Sequence, residues 1–355
     1  MAHNVVKPEV LASTAAQLVA AQLTIPNLFT KRGVEDFRGA KDDTLTVPVK
    51  GVLPHRKYGW RNDRTNPIVL DEYTERSIAV TFGDNYYSGS PLTDEQRDFD
   101  TTAHSGPVEV RALEAQAEAV ATGIQYDAVS TVENGTYEVE LVLANETAAE
   151  INRVLVEARR VLDRFHAPKQ GRVLVVGSDI DAAIQRADLF NIASNVGDAS
   201  ARSALQEAVI GRWKEFTIIT ATEIEPDTAY VITPGGFVFL NAAPAVPNSV
   251  GFGATSSHEG IALRVMKDYD PMHFSDRLVT NTYAGFRQVE DPLLVVDKST
   301  GNASVTDEEY FVRGLKISMS GEVKYPEPGS ELADATGVTD PNADAGTGDG
   351  GTGDA

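Results

Sequence analysis

Residues 105–129, SGPVEVRALEAQAEAVATGIQYDAV, constrain the fold more than any other stretch. Gly106 and Pro107 make a helix start, because the N–H that proline lacks has no intrahelical partner in the first turn. Val110, Leu113, Ala117, Val120 and Ile124 then recur at steps of three and four, drawing one narrow apolar stripe. The spacing predicts a helix about 36 Å long, longer than most helices of globular domains. A stripe so thin and so rich in alanine has to lie close along a sheet or another helix. Taken alone, the stretch fits a long surface helix equally well, so its neighbours must decide.

A chain of 355 residues can bury a large core, in two domains or one elaborate one. It has no cysteine, which removes disulfides, thiolate metal sites and cysteine nucleophiles. A formal net charge of −21 opposes tight binding to nucleic-acid phosphates, so no sequence-specific nucleic-acid binding is expected. No apolar run reaches the roughly eighteen residues of a membrane span, and no membrane partner is expected. Residues 9–25 carry Glu9, Gln17 and Gln22, which interrupt any signal-peptide core. They read instead as an amphipathic helix opened by Pro8, with Leu11, Ala15, Leu18 and Gln22 on successive turns. The protein is expected to be soluble and to stay in the cell that makes it.

Thr24 to Asp43 shows no sustained period and reads as an extended arm. Alternation begins at Leu45 (LTVPVKGV) and returns at Tyr73 (YTERSIAVTF), which suggests a long two-stranded excursion. Its middle, HRKYGWRNDR, holds four cations, a histidine and two aromatics in ten positions. A two-stranded ribbon is barely stable alone, so this one needs something to lie on. Ser90 to Asp100 is acidic and turn-rich and leads into the long helix. Beyond the helix, Asn134-Gly135 signals a tight turn and Tyr137 to Leu143 alternates as a strand.

Thr147 and Glu150 form a capping box for a helix whose face is Ile151, Val154, Leu155, Ala158, Val161 and Leu162; Pro168 ends it. Arg172 to Val176 reads as a buried strand, Ser178 and Asp181 cap a short helix, and residues 201–209 predict another helix ending at Gly211. Strands are then expected from Phe216, Ala229, Phe237, Ile261 and Asp276, at Leu293 to Val296 and at Tyr310 to Met319. After Tyr325 the chain has seven acidic residues, no Lys or Arg and no aromatic, a composition too poor in apolar side chains to order itself. The fold class is α+β.

Candidate chemistry is sparse. The six histidines are scattered and none is paired at i, i+4 for a metal. Gly177, in RVLVVGSDIDAAIQ, stands alone where a phosphate loop needs several glycines, so a packed βα unit is the reading there. GFGATS (251–256) is a glycine-rich loop with no helix after it. Asp340, Asn342 and Asp344 have calcium-loop spacing, but Ala345 and Gly351 occupy the positions that need Gly and Glu. Catalytic, cofactor and metal residues are therefore all expected to be none. The basic, aromatic tip fits single-stranded nucleic acid, a solvated hairpin, or a ribbon docking on an acidic neighbouring subunit. The overall charge argues against nucleic acid, and docking on a neighbouring subunit fits best.

Several stretches together resemble the major capsid (coat) proteins of tailed bacteriophages, in particular the coat family of short-tailed phages related to the Salmonella transducing phage. They are VEDFRGAKDDTLTVPV (34–49), SPLTDEQRDFD (90–100), FHAPKQGRVLVVGSD (165–179) and ALQEAVIGRWKEFTIITAT (204–222), in that order across roughly residues 10–320. Trp213 stands where the resemblance leads one to expect a smaller residue. The resemblance implies the capsid fold shared with encapsulins: an N-terminal arm (1–44), an E-loop β-hairpin (45–90), a P-domain with a long spine helix (91–147), an A-domain (148–275), return strands (276–325) and an acidic low-complexity tail (326–355).

It also implies a non-enzymatic shell subunit that self-assembles, as hexamers and pentamers, into the icosahedral head of a virion around double-stranded DNA. Assembly would take place in the cytoplasm of a bacterial host, with a scaffolding protein, a portal and a decoration protein as partners. An encapsulin compartment shell and a soluble enzyme are the alternatives. Intersubunit contact is expected between Arg56, Lys57, Tyr58, Trp60, Arg61 and Arg64 at the E-loop tip and Asp94, Glu95, Asp98 and Asp100 of a neighbour. Val110, Leu113, Val120 and Ile124 are expected to pack the spine helix.

Overall fold

The computed structural model describes residues 7–33, 44–49, 51–60, 64–65, 67–73, 76–93, 108–187, 209–213, 215–273 and 275–341. By contacts the chain divides into two compact units, 1–47 with 77–135 and 237–288, and 48–76 with 136–236 and 289–355. The expected boundaries at 147/148 and 275/276 do not coincide with this division. Both units are assembled from separated stretches of chain, and sequence periodicity carries no trace of which strands return to which sheet.

In the first unit the long helix α2 runs Val108–Glu133, 26 residues or about 39 Å. Leu113, Ala117 and Ile124 are fully buried and Val120 nearly so, while Val110 near the start is half-buried. α2 packs on α1 (Pro8–Gln22), on β4 (Asp84–Thr93) and on β13 (Ser275–Gln288). Burying each Leu or Ile of the stripe contributes about 1.5–3 kcal/mol.

Two polar residues on the same face were not legible as core. Gln116 donates to Ser90 Oγ (2.9 Å) and to the Leu278 carbonyl (2.8 Å), and its Oε1 accepts from Thr280 Oγ1 (2.9 Å). Gln125 Oε1 accepts from the N–H groups of Thr24 and Ile25 just after α1. Each therefore anchors the helix to a neighbouring element through a satisfied buried amide.

The sheet of this unit orders β1 (Thr30–Arg32), β10 (Phe237–Ala242), β13, β12 (Ile261–Asp270) and β11 (Phe252–His258), with β4 along the other edge of β13. β4 is paired over its whole length, from Asp84 opposite Ala284 to Thr93 opposite Ser275. A two-stranded ribbon is made by β2 (Thr44–Val49) and β3 (Arg76–Thr81).

Four local expectations are corrected here. The buried face of α1 is Leu11, Ala12, Ala15, Ala16, Val19 and Ala20, and Gln22 is exposed, because the alanines pack closest. Part of the expected arm is a 3-10 turn (Pro26–Leu28) followed by β1; residues 34–43 lie outside the described residues. Ser90–Thr93 is the end of β4 rather than a turn, held by its ladder to β13. GFGATS lies mostly in strand β11, whose partner is β12.

The second unit carries a six-stranded mixed sheet in the order β5 (Glu140–Val142), β16 (Gly314–Ser318), β9 (Thr228–Ile232), β6 (Val173–Val176), β8 (Phe216–Thr220) and β7 (Val209–Trp213). Helix α3 (Ala148–Arg164) lays Ile151, Val154, Leu155, Ala158, Val161 and Leu162 into one core with Leu174, Ile218, Val231 and Leu315. Thr147 caps it as its sequence demands, accepting from the Glu150 N–H at 3.4 Å. The Glu150 carboxylate turns to Arg153 (2.7 Å). Tyr137, Tyr230 and Phe311 form a second cluster with ring centroids 5.4 and 5.5 Å apart.

Helix α4 (Ser178–Arg186) follows β6 through Gly177. A Cβ on that glycine would lie 2.3 Å from the Glu225 carbonyl oxygen, so the turn is filled by backbone and is a packed βα corner. The helix expected over 201–209 falls on residues outside the description up to 208, and Val209 to Trp213 are strand β7, drawn into the sheet by β8. Tyr310 to Arg313 precede β16 as a bridged segment, not as strand. β14 (Leu294–Val296) and β15 (Ala303–Val305) make a separate hairpin.

The tail is partly structural, which corrects the reading that its composition is too poor in apolar side chains to order itself. α5 (Glu331–Thr336) is capped by Ser330 Oγ, which accepts from the Ala333 N–H at 3.2 Å, and it ends at Gly337 with φ 68°. Leu332 and Val338 are buried in the same core as α3. Residues 342–355 lie outside the described residues.

Candidate functional site

Residues 51–73 leave the β2–β3 ribbon as an excursion with no regular secondary structure among its described residues. Backbone and side-chain ties hold its first limb to the β14–β15 hairpin. The His55 carbonyl accepts from the Ala303 N–H (2.9 Å), and the Lys57 N–H donates to Asn302 Oδ1 (2.9 Å). The hairpin turn is itself rigid: Asp297 accepts from the Ser299 N–H, Ser299 Oγ and Thr300 Oγ1. Those hydroxyl and amide donors hold its carboxyl down at about 2. At Gly301 the left-handed backbone (φ 69°) favours glycine, while the nearest atoms to an added Cβ are those of the flexible end of Lys57, which can move aside.

Arg56 joins the two limbs of the excursion. Its Nη2 and Nε donate to Asp71 Oδ1 and Oδ2 at 2.7 and 3.0 Å, a two-pronged pair. That hydrogen-bonded pairing raises the guanidinium's pKa and lowers the carboxyl's. Arg56 therefore has a partner within the excursion, which sequence reading did not foresee. Lys57 is engaged through its backbone. Tyr58 and Arg64 are exposed, and Trp60 is 91% exposed. Arg61 lies outside the described residues, as do Asp94, Glu95, Asp98 and Asp100, the expected opposing half of the contact.

Sequence reading also passed over a run of exposed apolar residues in the same excursion. Ile68, Val69 and Leu70 are 66%, 59% and 84% exposed, and Tyr73 and Leu53 join them. Three consecutive apolar residues cannot all face one side of a strand. The run PIVLDE carried that signal. Scattered apolar residues on a surface need no explanation, but a contiguous group on a projecting element marks an interaction site.

Among the described residues no three His, Asp or Glu side chains are placed to hold a metal, and no helix is long and apolar enough to cross a membrane.

The fold is that of a solved structure from Mycobacterium phage Che8, matched over 84% of this chain and 92% of that one at a TM-score of 0.56 and 16% identity. The capsid of cyanophage P-SCSP1u matches over 84% and 89% (TM-score 0.55, 10% identity). The mature capsid of bacteriophage PhiM1 matches over 84% and 88% (TM-score 0.52, 10% identity). The class is therefore the tailed-phage capsid fold. The chain belongs to the phage capsid protein family, whose sequence profile matches residues 86–297, more than half its length. No curated protein sequence matches it.

Proposed function

We propose that this chain is the major capsid protein of a tailed bacteriophage, self-assembling through hexamers and pentamers into an icosahedral head around double-stranded DNA. Family membership gives the class, and the exposed apolar group on the tied excursion is the observation that carries assembly. A subunit that keeps Trp60 and Leu70 in water gains by burying them against another copy, at about 1.5–3 kcal/mol for each large side chain. Hundreds of copies would repeat that gain.

In this reading the excursion is the E-loop, α2 is the spine helix, and the remaining domain names follow the sequence order given above. The E-loop clasps a neighbouring copy by its apolar run, helped by Arg61, Arg64 and Lys57 against Asp94, Glu95, Asp98 and Asp100. The order of the motifs at 34–49, 90–100, 165–179 and 204–222 supports kinship with the coats of short-tailed Salmonella-type phages. The protein acts as structure, without catalysis, in the virion; it is assembled in the host cytoplasm with a scaffolding protein, a portal and a decoration protein.

Negative-stain microscopy of the expressed chain, alone and with a candidate scaffolding protein, tests the reading. Closed shells are expected. A monomer or dimer under every condition would overturn it, and shells filled with a cargo enzyme and needing no scaffold would make it an encapsulin.

A further inference from the structure

Three consecutive residues of the excursion carry ties that pull in two directions. The His55 carbonyl and the Lys57 N–H both go to the β14–β15 hairpin, to the Ala303 N–H and to Asn302 Oδ1, each at 2.9 Å. Arg56 between them sends its guanidinium the other way, to Asp71 on the second limb. Asp71 directly follows Ile68, Val69 and Leu70, the exposed apolar run. A continuous line of hydrogen bonds and covalent bonds therefore leads from the hairpin turn through Asn302, Lys57 and Arg56 to Leu70. Contiguous contacts of this kind carry coupling from one place to another.

The hairpin is held more firmly than its strands alone could manage. β14 and β15 pair at three positions, and so short a ribbon is marginal unaided. Side chains supply the rest. The Asp297 N–H donates to the Asn302 carbonyl (2.9 Å), and the Gly301 N–H donates to the Asp297 carbonyl (2.7 Å). The Asp297 carboxylate takes the Ser299 N–H (2.8 Å), Ser299 Oγ (2.7 Å) and Thr300 Oγ1 (2.6 Å). Thr300 Oγ1 in turn accepts from the Asn302 N–H at 3.3 Å. At the base, Thr306 Oγ1 accepts from the Leu293 N–H (3.0 Å) and the Thr306 N–H donates to the Leu293 carbonyl (2.9 Å). Asn302 is thus fixed through both its N–H and its C=O, and its side-chain amide is presented at a set place. The excursion has use for such a support. Its described residues lack regular secondary structure, and each one that a neighbour had to order on contact would subtract from the gain of burying Trp60 and Leu70.

We propose that the 297–302 turn is a brace, with Asn302 as its positioning residue. It holds the excursion where Trp60 and the apolar run can meet a neighbouring copy before that copy arrives, and it stays closed in the assembled state. The meeting rests on the shell reading; the holding is a property of the single subunit.

Hydrogen exchange on the unassembled full chain reads the holding directly. In Asn302→Ala the amides of residues 55–58 and 69–71 should exchange roughly five- to tenfold faster than in the parent, as loss of one hydrogen bond dictates, with an unchanged urea midpoint. Asn302→Asp keeps an acceptor oxygen and should exchange as the parent does. The second measurement uses the natural absence of cysteine. The Lys57 side chain already lies beside Gly301, so Lys57→Cys with Asn302→Cys puts two thiols across the tie. Reduced, the double variant lacks the Asn302 acceptor; oxidised, it carries one disulfide in its place. Oxidation should bring the exchange of 69–71 back to the parent's level and speed assembly, followed by light scattering, roughly tenfold over the same protein reduced. The parent, without thiols, should not respond to the oxidant. Unchanged exchange in Asn302→Ala overturns the proposal, as does a disulfide that forms only between chains. Equal assembly of the reduced and oxidised forms would overturn it too, and faster assembly of the reduced form would make the turn a latch that has to open. If the parent itself makes no shells, the shell reading falls, and exchange still decides whether the turn holds the loop.

Discussion

Arg172 and Asp163 form a pair in which the cation is fully buried and the carboxylate is not: the Arg172 side chain has no exposure, and its Nη2 lies 2.8 Å from Asp163 Oδ1. The same guanidinium donates to the carbonyls of Ala167 (3.0 Å) and Pro168 (2.8 Å), so one side chain closes the turn between α3 and β6. Its Nη1 faces Glu215 at 3.8 Å without a hydrogen bond. Arg172→Ala would leave two carbonyls and a carboxylate without their donor. It should cost roughly 2–4 kcal/mol in urea unfolding, since breaking a buried pair by removing one partner is expensive. A loss below about 0.5 kcal/mol would show that water serves the turn equally well.

The pair also sets an acid limb. Burial alone would push the Asp163 carboxyl up, but the Arg172 hydrogen bond and the charges of Arg172, Lys169 and Arg159 outweigh it and hold the group below its ordinary value. A carboxyl lowered in the fold contributes stability that is complete above its unfolded pKa, near about 4, and is lost as pH falls through the folded value. Asp163→Asn should therefore be less stable than the parent at pH 7 and lose less stability on acidification below about pH 4. Parallel stability curves for the two proteins across that window would remove Asp163 from the acid transition.

Gly177 is needed for space and not for conformation, since its φ of −73° suits any residue. An added Cβ would lie 2.3 Å from the Glu225 carbonyl oxygen and 2.7 Å from that of Pro226. Neither is the end of a side chain that can swing away. Gly177→Ala should cost roughly 1–3 kcal/mol by overpacking the corner, measured as a lower urea midpoint with unchanged slope. An unchanged midpoint would mean that the 225–226 turn yields freely.

What could be read from the sequence was local. The cap at Thr147, the face of α3 and the stripe from Leu113 to Ile124 follow from contacts within a few turns of one helix, and the spacing records them. β4 did not show itself: DNYYSGSPLT has an exposed Tyr87, a glycine and a proline, and it is a strand because β13 supplies ten partners. Gln116 and Gln125 have polar names and core addresses, which only their distant acceptors and donors explain. The phase of α1 slipped because alanine signals burial weakly. At the candidate site the basic tip was visible, while the Arg56–Asp71 tie was not, since nothing in spacing says that two loop limbs meet.

The tail should divide sharply in function. Leu332 and Val338 fill the same core as α3, although they are almost the only large apolar residues after Tyr325. Ending the chain at Tyr325 uncovers that core and should cost several kcal/mol, or yield insoluble protein. Ending it at Pro341 should leave the melting temperature within a degree or two. Equal stability of the two truncations would mean that α5 adds nothing to the fold.

Fold and assembly should separate by residue. Leu113→Asp and Val120→Asp each place a charge against a packed face and should unfold or severely weaken the subunit. Leu70→Asp and Trp60→Ala change side chains that are 84% and 91% exposed, so subunit stability should stay within about 0.5 kcal/mol while shells fail to form. The cations of the same loop should matter less. An exposed ion pair is worth at most about 1 kcal/mol, and Arg56 is already bound to Asp71. Burying Leu70 or Trp60 gains about two or three times that. Reversing Arg61 and Arg64 to Glu should therefore slow assembly and make it more salt-sensitive, whereas Leu70→Asp should abolish it at any salt concentration. Light scattering against sodium chloride reads both. Normal shells from Leu70→Asp, with none from the double reversal, would place the grip in the charges and not in the apolar run.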